Sequence, residues 1–584
     1  TRQTSGDWGL VLSYTGANAQ GAWDTERLRY HDFYGALGWK GEKSDFTFST
    51  VLFAQRDNYD VSNFEGEDDD PPGRVENLFF SDIKHCKTCF NPAAALNEYN
   101  ADLLLMQGVY NYYVNQDTTV SARVYGQLLD RARFFNLEGG DPRAAETNFK
   151  PIIDGDEVLV PEDAMEGRLR TFNNIGTELR TELANRPFLF GLSQDMQVGL
   201  RYEHHVFFDT NIIGRQGQIL NGFDNKGLTI WDREFEADAF SAFIQTDIPV
   251  TQRLNVVPGA RLEHYRISRL TNVLTGEDEE EEECEEFDDE ECIVFEDFTN
   301  DPFTESFDRT HVLPGVAFAW GFGRKDMPVD YGSKSLKPVD AKPSYFTTLY
   351  GGYHRGLTMN VLREAPFPPG NELGDNFQLG LRSTAIKGVT FDVAGFHQLI
   401  QDFQVKGEIS LAADKTFGVV DEVEINGVEM YGRLDTRPYT GWRLNPYAEA
   451  SYTFADSVIA EGFNEDGVSV AGNLVPEVPD QTAYLTAGIE STAGWNASVS
   501  WIYRGAFFTD VDNTPFGGDP EGENGEVPSV WLLAARANYT IPGTDAVIFI
   551  SGENLTNKLY ITDREDGLKP GIGRTIMAGG KIKW

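Results

Sequence analysis

A chain of 584 residues with 92 acidic and 49 basic side chains carries a formal charge of −43, which excludes a nucleic-acid partner on electrostatic grounds. Mean hydropathy is −0.38, and no apolar run approaches the ~20 residues a membrane helix needs, so a helical membrane protein is excluded too. The length exceeds an ordinary soluble β domain, yet no composition break, linker or helical half divides it.

The texture is alternating segments of about ten residues separated by Gly, Asn, Asp and Pro. Successive side chains of a strand point to opposite faces, so each segment has one apolar wall and one wet wall. Strand candidates begin near Gly9 and His31; in the next, Phe46, Phe48, Thr50, Leu52 and Ala54 share a face. After one near Leu103, Val120, Ala122, Val124, Gly126 and Leu128 oppose Thr119, Ser121, Arg123, Tyr125 and Gln127. Further candidates begin near Arg168, Met196, Phe235, Leu254, Thr310, Tyr345, Phe377, Thr390, Val428, Tyr447 and Ala483. Then Trp495, Ala497, Val499, Trp501 and Tyr503 oppose Asn496, Ser498, Ser500 and Arg504, and Trp531, Leu533, Ala535, Ala537 and Tyr539 oppose Arg536 and Asn538. Another starts near Ala546. In the last, Ile576, Ala578, Gly580, Ile582 and Trp584 face one way, and Thr575, Met577, Gly579, Lys581 and Lys583 the other.

Arginines repeatedly fall opposite the aromatics, so the interior is expected to be polar and wet. Short connections (250–253 and 492–494) alternate with long ones (56–100, 132–167, 270–306 and 508–529). The expected fold is all-β, a large transmembrane antiparallel β-barrel of about 22 strands with long extracellular loops and short periplasmic turns. A cylinder that wide needs a plug.

The acidic runs Glu65 to Asp70 and Glu277 to Glu291 read as solvated loops; divalent cations bridging to anionic lipopolysaccharide, or a high-salt habitat, are the alternatives. Four cysteines form two close pairs, Cys86 with Cys89 and Cys284 with Cys292. Local disulfides in an oxidising compartment are the simplest reading, with zinc or redox chemistry at His85-Cys-Lys-Thr-Cys89 as the alternative. His204 and His205 are adjacent on a strand and face opposite ways, so no shared metal ion is expected. No Ser/His/Asp arrangement, phosphate loop or paired-carboxylate spacing stands out, so catalytic residues and an enzymatic cofactor are not expected. The chain begins at Thr1 without Met or signal peptide, as a processed or truncated chain would.

The segment Gly552-Glu-Asn-Leu-Thr-Asn-Lys-Leu-Tyr560, followed by Gly571-Ile-Gly-Arg-Thr575 and the last strand, resembles the end of TonB-dependent outer-membrane receptors. The block Gly472-Asn-Leu-Val-Pro-Glu-Val-Pro479 and the strand Tyr350-Gly-Gly-Tyr-His-Arg-Gly356 are similar to later blocks of that family, nearest its ferric dicitrate branch. The family's "LKPE" block is replaced by Pro369-Gly-Asn-Glu-Leu-Gly-Asp-Asn376. The resemblance implies that residues 1–584 are a receptor barrel domain, with the family's N-terminal plug and signal peptide expected to be absent from the chain. It implies import of a ferric chelate across the outer membrane of a Gram-negative cell, energised by the TonB–ExbB–ExbD complex through the plug, amid outer-membrane lipid and lipopolysaccharide. The chelate is cargo, not cofactor.

An anionic chelate needs cationic or hydrogen-bonding groups on loops and the inner wall. The candidates are Arg131, Arg133, Arg215, Arg233 and Arg355, with His354 and Gln404 in nearby register. Arg233 leads, in loose correspondence with arginines that clamp citrate in the resembling branch; for each arginine the alternative is an inner-wall ion pair. Two other functions fit the same fold: a passive porin, and a surface barrel that binds a partner through its acidic loops.

Overall fold

The structure, a computed structural model, describes residues 2–20, 26–58, 71, 73–82, 97–136, 152–154, 157–161, 165–187, 191–214, 228–273, 279–284, 290–295, 301–325, 344–359, 371–404, 419–464, 467–520, 522–544, 546–564 and 567–582. Alternation does what the sequence pattern demands: 21 strands form one antiparallel sheet. Strands pair in chain order, from Arg2–Ser5 with Trp8–Gln20 to Ala546–Glu553 with Thr575–Ile582. Tight turns join alternate strand ends. At 492–494 the chain reverses through Gly494 at φ +88°, where a Cβ would come within 3.1 Å of the Thr540 carbonyl.

Register fixes the two faces. One carries Leu179, Leu200, Val316, Leu379, Met430, Val499 and Ile576, all exposed in the chain itself. A lower girdle of Trp8, Trp39, Tyr110, Tyr112, Trp320, Trp495 and Tyr539 sits near the tight turns on that face. An apolar band bordered by an aromatic girdle is the surface an outer-membrane barrel offers to lipid. The opposite face is hydrogen-bonded: Arg433 contacts Asp435, Glu449 and Glu490 at 3.0, 3.1 and 2.9 Å, and Tyr350 donates to Asp392 at 2.7 Å. This is the wet interior expected from the arginine pattern.

Strand length varies round the sheet, and this positions the site. Met165–Pro187 has 23 residues, Ser193–Gly214 and Leu228–Pro249 22 each, and Leu254–Val273 20, against 10 for Trp495–Arg504 and 8 for Ala546–Glu553. A tilted strand crosses a bilayer in about 9–11 residues, so the long strands stand about as far again above it. Their outer faces there are polar (His204, Glu236, Asp238, Arg266 and Asp308), as a surface above the lipid should be.

Two features top the sheet at the long-loop end. A four-stranded sheet is assembled from Ile152–Asp154, Glu157–Pro161, Glu279–Cys284 and Glu290–Phe295, two connections that flank the tall strands. Elsewhere the rim is packed by apolar clusters, one built on Val423, Ile459, Val470 and Val475 and one on Phe79, Phe507, Val527, Ile561 and Leu568. The segment 56–100, read from sequence as loop, contains the helix Arg74–Asp82.

Candidate functional site

Register brings six arginines to one patch of the inner face, near the rim of the tall strands. Arg131, Arg170, Asp209, Arg233 and Thr271 lie directly opposite one another across five strands. One step nearer the rim run Arg133, Arg168, Asn211 and Trp231. One step below, Phe172, Phe207 and Phe235 lead to Arg269 and Glu305.

The arginines are held in place. Arg170 Nε donates to Asp209 Oδ1 at 2.8 Å, with the Asp209 side chain fully buried. Arg168 pairs with Glu166, which also accepts from Asn211 Nδ2 at 2.5 Å. Arg269 Nη2 lies 2.6 Å from Glu305 Oε2. Aromatic rings carry the remaining guanidinium faces: Arg168 and Arg233 lie 5.8 and 5.6 Å from the Trp231 ring centroid, and Arg131 5.5 Å from that of Phe172. Phe172, Phe207 and Phe235 stack at centroid spacings of 4.4 and 5.4 Å, a rigid floor beneath the charges.

Among the described residues six cationic groups face three carboxylates (Glu166, Asp209 and Glu305), so this part of the inner face is positive in a chain of −43. Buried polar atoms here also find no hydrogen-bond partner among the described residues: Arg170 Nη2, Trp231 Nε1, Thr271 Oγ1 and Asn211 Oδ1. Buried polar atoms are normally satisfied, so these leave hydrogen-bonding capacity for water or a ligand. Preorganised guanidinium groups with spare donors suit bidentate capture of carboxylate or phenolate oxygens. Nothing in the patch has the geometry of a nucleophile and its base.

Of the sequence candidates, Arg131, Arg133 and Arg233 are brought together here. Arg215 lies outside the described residues. Arg355 is on the opposite, outward face, with Asp375 at 2.5 Å, Tyr353 beside it and Phe377 in the next row. His354 faces inward but two strands beyond Leu254–Val273, in a row with Gly315, Asn376 and Gln398. Gln404 ends its strand six residues further toward the rim, so the two are not in register; its side chain is outside the described residues. Sequence reasoning missed Arg168, Arg170, Arg269 and Asp209. Their signal was present: Arg131/Arg133 and Arg168/Arg170 are i,i+2 pairs at matching distances from adjacent strand ends.

His204 and His205 do point to opposite faces. His204 lies beside Asp238, 3.1 Å from its Nδ1, and Glu236, 3.9 Å from its Nε2, and one ligand atom from each of the three falls within 4.8 Å of the others, a group on the outer face that does not include His205. Cys86 and Cys89 lie outside the described residues, as do the side chains of Cys284 and Cys292. The backbone pairs Cys284 with Glu290 and Cys292 with Glu282, so the latter two cysteines share a face of their hairpin, two residues out of direct register.

The profile of the family described as TonB dependent receptor-like, β-barrel matches residues 2–555. No curated protein matches the chain. Among solved structures, the ferric citrate transporter FecA in its unliganded form is similar with a TM-score of 0.71 and 15% identity, over 100% of this chain and 74% of that one. The siderophore receptor PiuA from Acinetobacter baumannii aligns with a TM-score of 0.68 at 12% identity, covering 99% of this chain and 78% of its own. The copper transporter OprC gives 0.64 at 13% identity, with 98% and 76% covered. At such identities the likeness is one of fold.

Proposed function

The chain belongs to the TonB-dependent receptor β-barrel family, and from that premise we propose that it captures an anionic ferric chelate, of citrate or siderophore type, at the arginine wall and admits it through the outer membrane of a Gram-negative cell. The observation that carries the reading is the wall itself: six arginines on the lumen face, above the bilayer, in an otherwise strongly acidic chain. A chelate presenting several oxygen anions would replace water at Arg170 Nη2, Trp231 Nε1 and Thr271 Oγ1, and its metal would stay inside its own ligand shell.

Capture is the barrel's part of the work. Release inward is driven by TonB with ExbB and ExbD, acting on a plug segment seated in the lumen. No group of this chain need bind a nucleotide or make a covalent bond. The disulfides Cys86–Cys89 and Cys284–Cys292 belong to the same proposal, as staples of extracellular loops in an oxidising compartment.

Growth of a deletion strain on a panel of iron chelates, with radio-iron uptake by the complemented strain, tests the reading. It requires loss of growth on at least one anionic chelate and uptake that stops when TonB is removed. Uptake of all small solutes alike, independent of TonB, would instead identify a passive porin.

A further inference from the structure

The helix Arg74–Asp82 sits in the connection between the strands Ser44–Asn58 and Glu98–Asn115, yet its partners come from the far end of the chain. Phe79 is fully buried against Phe507, Val527, Ile561 and Leu568, all less than 9% exposed. Glu76 accepts from Arg564 Nη2 at 2.6 Å and from the Gly517 amide at 2.9 Å. Arg564 is fully buried and also donates to the carbonyls of Gly522 and Glu526, at 3.1 and 3.3 Å. The backbones interlock closely: a Cβ on Gly517, which has φ +72°, would come 3.1 Å from Gly73 Cα.

These segments lie above opposite edges of the sheet. Counted flat, the strands Ser44–Asn58 and Thr575–Ile582 would be about 80 Å apart at the ~4.8 Å strand spacing. Contact between the loops they carry therefore accompanies a sheet curled until its edges approach. The platform is also luminal. Arg504, on the inner face at its strand end, donates to the carbonyls of Ile561 and Thr562 at 2.7 and 3.0 Å, which folds that hairpin inward over the mouth.

We infer that the helix Arg74–Asp82 is a strap, carrying the first long connection over the seam where the sheet's two edges approach and latched through Glu76 and Arg564 to a platform made by the last two. The strap keeps this side of the mouth covered, and ligand enters over the arginine wall instead. The strap rests on fold and packing and stands whether or not the arginine wall binds a ferric chelate.

The test is trypsin cleavage after Arg74, at the start of the helix, in the whole protein folded in detergent micelles, with heat-modifiable gel migration confirming an intact barrel. Glu76→Gln and Arg564→Met each strand a buried polar partner and should speed cleavage at least tenfold. The double variant Glu76→Leu/Arg564→Met replaces the pair with apolar volume and should return toward the wild-type rate. Should a single variant fail to fold, Phe79→Ala provides the same reading from the apolar side, again with cleavage at least tenfold faster. Wild-type protein cut rapidly after Arg74, or latch and Phe79 variants cut no faster than wild type, would overturn the strap. Ferric citrate binding in the latch variants separates this result from a failure of the wall.

Discussion

Arg170 and Arg233 flank Asp209 in one row of the wall, and this triplet explains how six guanidinium groups stay ordered without cancelling one another. Each carboxylate in the patch restrains arginines but leaves a surplus of positive charge, and Trp231 and the phenylalanine stack restrain the guanidinium planes. Restraint matters because ordering long side chains on binding costs affinity. A hydrogen bond to a charged group contributes about 1.5–3 kcal/mol. Arg233→Gln should accordingly weaken binding of the imported chelate by roughly 10- to 150-fold in calorimetric titration. Arg355→Gln, on the outward face, should leave the same titration unchanged. Equal losses in both variants would mean that the two faces have been assigned wrongly.

Inner-face glycines and rings fit one another between neighbouring strands. A Cβ on Gly176 would fall 2.3 Å from the Tyr125 ring, and one on Gly488 would fall 2.5 Å from that of Tyr447, so each ring lies flat over its glycine. Gly488→Val must displace Tyr447, and overpacking of this kind costs about 1–3 kcal/mol; a lowered urea midpoint for unfolding from lipid vesicles checks it. Gly432→Ala, with nothing within 4 Å of the added atom, is the control expected to stay near wild type.

At this scale it is also clear which parts of the structure the residues announced. Period-two alternation gave the strands, and the arginines opposite the aromatics of Trp495–Arg504 and Val530–Thr540 gave the wet face. It could not orient Arg355, because both faces of Tyr350–Arg355 are alike. Tyr350, Gly352 and His354 point one way, and Gly351, Tyr353 and Arg355 the other. Nor could it assemble the wall, since which arginine meets which depends on register between strands set by turns and bulges, such as that between Asn211 and Ile212. The helix Arg74–Asp82 was hidden because what buries Phe79 lies more than 400 residues away in sequence.

For the whole molecule, height and polarity vary together. Short strands late in the chain span little more than the bilayer, whereas the tall strands lift the arginine wall above it, so the capture proposed here would take place in water outside the membrane. The apolar belt can be tested from both sides. Leu179→Arg puts a charge on the outward face at mid-height and should cost about 2–4 kcal/mol of folding stability in vesicles. Ser498→Lys, on the lumen face, should fold as well as wild type. Were the lumen substitution the costly one, the sheet would be inside out relative to this description.

The net charge of −43 serves solubility of the loops and repels anions from most of the surface, so a local positive patch is what a polyanion would find. The most direct measurement is a map of the protein in complex with the chelate that supports growth, with the iron located by its anomalous scattering. The account predicts an iron position on the lumen face between Arg170 and Arg233, with chelate oxygens meeting their guanidinium groups. Iron bound elsewhere at saturating chelate, with the wall occupied by water alone, would contradict it.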